Sequence, residues 1–286
     1  MTSPFSTLLL WNLPLVNATT RQVRNHLTKA LSDSKSSPVF IATPNPEQII
    51  LAEKTPAFKS NLAQFDLLLP DGIGLVLASR YFRTRRQLPK ALSERITGSD
   101  LADQLLRYAK ETNKTALIIG GFYADLAHSS KKNKNDIEKH HLDYKTTNQT
   151  AFEQRLPLTN QTLPYWTEGY HNTTQLSQIE TNNLKNLIQY LKPALILVAF
   201  GAPFQEQWLI ENRSFLIENG VKVALTVGGS IDFLTGKKKR APVFLQKIHL
   251  EWLYRLIQEP SRFRRQLALI KFIALTLKTS PSHLNP

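Results

Sequence analysis

Short unbroken apolar runs alternate along this chain with stretches of helical spacing. Thr7 to Leu15 and Pro38 to Ala42 read as strands, with a helix from about Thr20 to Ser32 between them, capped by Thr19 or Thr20. A helical pattern follows from Glu47 to Lys54, behind the turn Thr43-Pro44-Asn45-Pro46. Asp66 to Leu69 is a short buried strand, closed by Pro70-Asp71-Gly72, and helical spacing resumes from Gly72 to Tyr81. Gly98-Ser99-Asp100 starts a helix with Leu101, Leu105 and Leu106 on one face, and Thr115 to Ile119 is a strand ending at Gly120-Gly121. After Leu176 a helix runs to about Leu191. ALILVAF, Ala194 to Phe200, is the strongest buried strand of the chain. Gln205 to Asn219 is helical, and Val221 to Val227 is the last core strand, closing at Gly228-Gly229. Strand, turn and helix in repetition predict an α/β fold: a Rossmann-like, mostly parallel sheet flanked by helices.

Two stretches depart from that rhythm. Residues 122–170 are polar and lysine-rich, with weak periodicity, and read as an irregular region inside the core. From Gly236 to Pro286 the chain carries eleven Lys/Arg against Glu251 and Glu259, which is +9 of its total of +14. Cationic residues there interleave with Phe244, Trp252, Leu253, Leu256 and the run Leu267 to Leu277. That pattern predicts a basic amphipathic helical appendage that holds an anion and lies against a membrane or its own domain. The expected organisation is therefore a core over 1–235 and an appendage over 236–286.

Composition narrows the chemistry. The chain of 286 residues is 42% hydrophobic and 20% charged, enough for a large core and against wholesale disorder. It has no cysteine, which removes disulfides, thiolate metal sites and cysteine nucleophiles and fits a reducing compartment. A pI near 9.9 calls for an acidic partner. No window approaches about 18 consecutive apolar residues, and Leu8 to Trp11 lacks a basic lead-in, so neither a transmembrane helix nor a signal peptide is predicted. Membrane contact, if made, is expected to be peripheral. The histidines show no metal-ligand spacing, and no metal or cofactor is assigned.

In open α/β sheets ligands sit beyond the carboxyl ends of strands. The residues found there are Thr43 and Asn45; Asp71 and Gly72; Gly120 and Gly121; Gly201, Pro203, Gln205 and Glu206; and Gly228, Gly229 and Asp232. Glycine at such ends lets backbone N–H groups approach an anion or a sugar. None of these pairs is a GxGxxG or a GxxxxGK[ST], so dinucleotide and P-loop chemistry are poorly supported. Asp71 is the best single candidate for chemistry. A carboxylate in a rigid, partly desolvated turn makes a usable base, although an Asp there also serves as a cap for the helix beginning near Gly72. Gln205-Glu206 at a helix start suits hydroxyl binding or capping equally.

These pieces, in this order, resemble the WecG/TagA/CpsF family of bacterial glycosyltransferases. The matching segments are TPNPEQIILA, LLLPDGIGLVLASR, ITGSDL, ALIIGG, LILVAFGAPFQEQWL, VGGSIDFLTGKKKRAP and LEWLYRLIQEPSRFRRQ, spread from Thr43 to Gln266. The resemblance implies an inverting, metal-independent transfer of an N-acetylhexosamine, typically N-acetylmannosamine, from a UDP-sugar to a polyprenyl-diphosphate-linked acceptor. Teichoic acid, common antigen or capsule is the end product in such families. It implies a cytoplasmic enzyme, peripheral on the inner face of the membrane, whose appendage completes the active site. A homo-oligomer is left open.

By the same resemblance Asp71 is the general base, and Thr43 and Asn45 belong to the catalytic or acceptor pocket. Gln205 contacts sugar or nucleotide. Arg240 falls in the RAP motif, and Arg255, Arg262 and Arg265 hold the UDP diphosphate. Arg255 and Arg262 differ by roughly 20° on an unbroken helix, but Pro260 interrupts it, so spacing alone leaves their convergence open. The polar stretch around Thr146 to Thr150 is longer and less apolar than the compact unit of the family, which leaves the donor sugar open. A nucleic-acid-binding α/β protein is the competing reading of Lys237 to Arg240 and Arg262 to Arg265. No helix-turn-helix, RRM or KH pattern supports it, and no nucleic acid partner is expected.

Overall fold

The computed structural model describes residues 4–121, 164–167, 169–170, 172–230, 241–242, 244–245, 251–258 and 263–284, with the backbone alone at 230, 255 and 263–266. Their contacts divide the chain into two units. The first comprises the described residues within Met1–Val23, Ile41–Gly98 and Lys238–Pro286, and the second those within Arg24–Phe40 and Ser99–Lys237.

The first unit opens on a hairpin where the sequence predicts one strand. β1 (Thr7–Leu10) pairs antiparallel with β2 (Leu13–Val16), Leu10 opposite Leu13. Trp11 and Asn12 form the two-residue turn, at φ 53° and 60°. A hairpin turn with both central residues left-handed matches strand twist, yet it is normally signalled by Gly or Asn-Gly. Trp11 carries no such signal. It stays in place because its ring is buried between Phe82 and Phe272, with centroids at 5.8 and 5.1 Å. β4 (Leu67–Leu68) runs parallel to both β2 and the end of β3 (Val39–Ala42). α1 (Thr20–Ser32) follows β2 in the chain, and the helices of this unit include α2 (Pro46–Lys54), α3 (Pro56–Ala63) and α4 (Ile73–Thr84). Helix α3 escapes the hydrophobic pattern because Thr55 ends α2 and begins α3 at once.

The second unit holds β5 (Ala116–Gly120), β6 (Pro164–Thr167), β7 (Leu195–Ala199) and β8 (Val223–Thr226). They are hydrogen-bonded in the order β8-β7-β5-β6, every pairing parallel. β5, β7 and β8 are buried at every position, which is why they read as continuous apolar runs. β6 lies inside the stretch 122–170 read as irregular, of which 122–163 and 168 fall outside the described residues. α5 (Gly98–Glu111) begins at the unit boundary and runs into this unit, and α6 (Gln178–Leu191) lies within it. The predicted helix from Gln205 to Asn219 is two: α7 (Phe204–Glu211) and α8 (Arg213–Glu218), parted at Asn212. The architecture is the mostly parallel α/β class predicted.

Among the described residues the basic C-terminal stretch carries α9 (Glu251–Gln258) and α10 (Phe263–Lys278), on either side of Pro260 in the sequence and both in the first unit. α10 packs on α2, and among its described side chains Phe272 and Thr276 are buried. Beyond it Thr279 accepts a hydrogen bond from the Trp11 indole at 3.0 Å, the Asn12 N–H donates to His283 O, and Leu284 is fully buried.

Candidate active site

The corner at Asp71 is built by backbone bonds that leave it little freedom. The Leu69 N–H donates to Ala42 O, the Asp71 N–H to Pro44 O and the Ile96 N–H to Pro70 O, each at 2.9 Å. Three chain segments are thus pinned around one half-buried carboxylate. Gly72 sits at φ 105°, where a Cβ would lie 3.0 Å from Pro46 Cδ. An L side chain there is both strained and crowded, so the turn demands glycine.

Asp71 does not cap the helix that follows it. α4 begins at Ile73 with Gly72 as its cap and no side-chain capping bond. Asp71 Oδ2 accepts instead from the Gly98 N–H at 3.2 Å, at the first residue of α5. A helix N-terminus favours negative charge, so the arrangement suits the ionised carboxylate a base requires. Thr43 is brought to the same place: a Cβ on Gly98 would meet Thr43 Oγ1 at 3.0 Å. Asn45 lies beside it as the cap of α2. Its Oδ1 accepts from the Gln48 N–H at 3.0 Å while Gln48 Oε1 accepts from the Asn45 N–H at 3.1 Å, a reciprocal capping box. Thr43, Asn45, Asp71 and Gly72 therefore form one cluster, and Gly98 belongs with them though its sequence reads only as a helix start.

In the second unit a different cluster forms around Gln205. Its Oε1 accepts from the Gly228 N–H at 3.0 Å and the Gly201 N–H at 3.3 Å, and its Nε2 donates to Glu206 Oε1 at 2.7 Å. Gln205 and Glu206 are 3% and 0% exposed. Gln205 is thus a strut that holds the turns after β7 and β8 at a fixed separation. Gly120 and Gly121 adopt φ 95° and 82° at the end of β5, Gly201 adopts 82°, and the peptide before Pro203 is cis. A Cβ at Gly120 would come within 2.8 Å of Phe200. The Trp166 indole donates to Gly120 O at 2.9 Å, and Trp208 to the Tyr170 hydroxyl at 3.1 Å, with Phe200 edge-on to both Tyr170 and Trp208. These aromatics are not among the sequence candidates. Their only signal is the Gly169-Tyr170 pair in a polar stretch. Gly229 lies exposed beside Gly228.

Asp232, Arg240 and Arg262 lie outside the described residues, and Arg255 and Arg265 have described backbone only, on α9 and α10. Among the described residues no group of acidic or histidine side chains has metal-site geometry, and no helix is long and apolar enough to cross a membrane.

Turns at the carboxyl ends of strands, such as the Asp71 corner in the first unit and the glycine turns braced by Gln205 in the second, are where open α/β sheets bind ligands. The chain belongs to the glycosyl transferase WecG/TagA/CpsF family, whose model matches residues 8–285. It is 31% identical over 269 residues to the N-acetylglucosaminyldiphosphoundecaprenol N-acetyl-beta-D-mannosaminyltransferase of Bacillus subtilis (strain 168), covering 93% of this chain and 90% of that protein. The protein of the same name from Bacillus spizizenii is 29% identical over 262 residues, 92% of this chain and 87% of that one. One from Staphylococcus aureus (strain MRSA252) is 27% identical over 249 residues, 87% and 84% of the two chains.

Proposed function

We propose that this enzyme transfers N-acetylmannosamine from a UDP donor to N-acetylglucosaminyl-diphosphoundecaprenol, with inversion and without a metal ion. The observation that carries the reading is the Asp71 corner, in a chain whose relatives bear that transferase name over nearly their whole length. The acceptor hydroxyl attacks the anomeric carbon, its proton passes to Asp71, and the bond to the UDP oxygen breaks on the opposite face. A single displacement on an α-linked donor leaves the β-linked product that the relatives' names specify. Thr43 and Asn45 orient the acceptor. The turns braced by Gln205, with Gly120, Gly121 and Gly229, contact the donor's sugar and phosphates, and Asp232 and Glu206 support them. Charge on the departing diphosphate is neutralised by Arg240, Arg255, Arg262 and Arg265, whose forked donors suit phosphate. Residues 236–286 act as the unit that supplies those arginines.

A donor panel tests this reading. UDP-N-acetylmannosamine, UDP-N-acetylglucosamine and UDP-glucose are offered with a prenyl-diphosphate-N-acetylglucosamine acceptor, each with and without EDTA. Transfer is expected from the first donor only, at a rate EDTA leaves unchanged, and NMR of the product should give a β linkage. Transfer from glucose alone, or loss with EDTA, would refute the corresponding part.

The same segment is proposed to rest on the cytoplasmic membrane face, where its lipid acceptor resides. Exposed Trp252, Leu253 and Ile257 on α9, and Leu267, Ile270, Ile273 and Leu277 on α10, stand beside Lys271 and Lys278. Apolar side chains inserted between cations bind anionic bilayers, each cation adding about 1 kcal/mol near the surface. Cosedimentation with phosphatidylglycerol vesicles is expected, weakening in high salt, with much weaker binding to phosphatidylcholine alone. Equal binding to both would remove the electrostatic part.

A further inference from the structure

The site reading leaves two charged residues without a role. Arg95 Nη2 lies 3.3 Å from Glu251 Oε2, and the two side chains are only 15% and 8% exposed. The other ion pairs among the described residues, Lys59–Glu53 and Arg107–Asp103, are 26–27% and 43–63% exposed. Exposed pairs contribute little. A pair withdrawn this far from water has given up hydration, which is recovered only where the geometry is held.

Its position gives the reason to hold it. Arg95 Nε also donates to Thr97 Oγ1 at 3.1 Å. The strip from Arg95 to Gly98 is the one that grips the catalytic corner, through the Ile96 N–H to Pro70 O and the Gly98 N–H to Asp71 Oδ2. At the other end of the ion pair, Glu251 lies on α9, and Arg255 is one turn further along that helix. One four-residue strip therefore touches both the backbone around the base and the helix that carries a diphosphate ligand.

We infer that Arg95 and Glu251 are positioning residues: their buried pair fixes α9, and with it Arg255, against the strip that holds Asp71. The inference rests on the functional reading above for what Asp71 and Arg255 do. A loose α9 leaves the base in place but lets the diphosphate cation wander, so the transition state suffers more than the bound donor.

The experiment uses the full chain with Glu251→Ala, the near-isosteric Glu251→Gln, Arg95→Ala and the double alanine variant, each checked for folding by circular dichroism. Misplacing a group by about an ångström costs on the order of 100-fold in rate, so Glu251→Ala should lower kcat by that order with a smaller change in donor KM. Glu251→Gln, which keeps the shape and loses the charge, should fall between it and wild type. The double variant should lose less than the two single losses combined, because the two changes share the Arg95–Glu251 contact. Backbone amides of Glu251–Gln258 should exchange hydrogen faster in every variant. Wild-type kcat in Glu251→Ala overturns the inference, as do losses that multiply in the double variant. Should the wild-type enzyme transfer no sugar at all, the functional reading fails, and hydrogen exchange still decides the latch: unchanged exchange in α9 of Glu251→Gln overturns it.

Discussion

Asp71→Asn is expected to reduce sugar transfer by on the order of 10³-fold while leaving the affinity for the UDP-sugar near that of wild type. The substitution keeps size and shape, and the amide oxygen still accepts from the Gly98 N–H that Asp71 Oδ2 engages at 3.2 Å. What it removes is the capacity to take a proton. A loss of that size corresponds to about 4 kcal/mol of transition-state stabilisation. The cost to stability is far smaller, about 0.3–1 kcal/mol for the favourable charge at the start of α5. Asp71→Ala is a coarser probe, since it also strips the buried Gly98 N–H of that partner, at about 1–3 kcal/mol. Rates with lipid acceptor, set beside donor affinity by calorimetry, separate these effects. Near-normal turnover by Asp71→Asn would mean that another group is the base, and a collapse of donor affinity would mean that Asp71 binds rather than abstracts.

How far that corner was readable from sequence depends on which contacts are local. Asp71 stands out because Pro-Asp-Gly follows a buried strand, but the sequence left base and helix cap as rivals. Local pattern places the nearest helix start at Gly72; the bond actually made goes to Gly98, 27 residues away. No periodicity encodes that. The Gln205 strut has the same character. Its partner Gly228 lies 23 residues on, so the local pattern, which suits hydroxyl binding or capping, does not show that Gln205 is buried. Strands β5, β7 and β8 were legible because full burial on both faces forces continuous apolar runs. The first hairpin was not, because tertiary packing of Trp11 overrides the residue preference of its turn. Arg95 and Glu251 were invisible for a related reason: an ion pair across 156 positions is a property of the fold.

Phe272→Ala should be strongly destabilising, and the residue beside it shows why the effect is specific. Phe272 is 4% exposed, its ring 5.1 Å from that of Trp11, and Gly74 of α4 comes close enough that a Cβ there would lie 3.5 Å from Phe272 Cε1. Removing the ring leaves a cavity enclosed by the hairpin, α2 and α4, which cannot collapse without moving Trp11 out of its turn. Such truncations cost about 3–5 kcal/mol, a large part of the roughly 5–15 kcal/mol that hold a typical domain folded. Ile273, one position on, is 59% exposed. Ile273→Ala should change stability by no more than about 0.5 kcal/mol, yet weaken binding to phosphatidylglycerol vesicles. Urea unfolding read by far-UV circular dichroism, paired with vesicle cosedimentation for both variants, makes the comparison. If α10 serves only as a detachable membrane anchor, Phe272→Ala will unfold like wild type and the two variants will lose vesicle binding alike. If its inner face completes the core of its unit while its outer face meets lipid, the two substitutions will separate stability from membrane affinity.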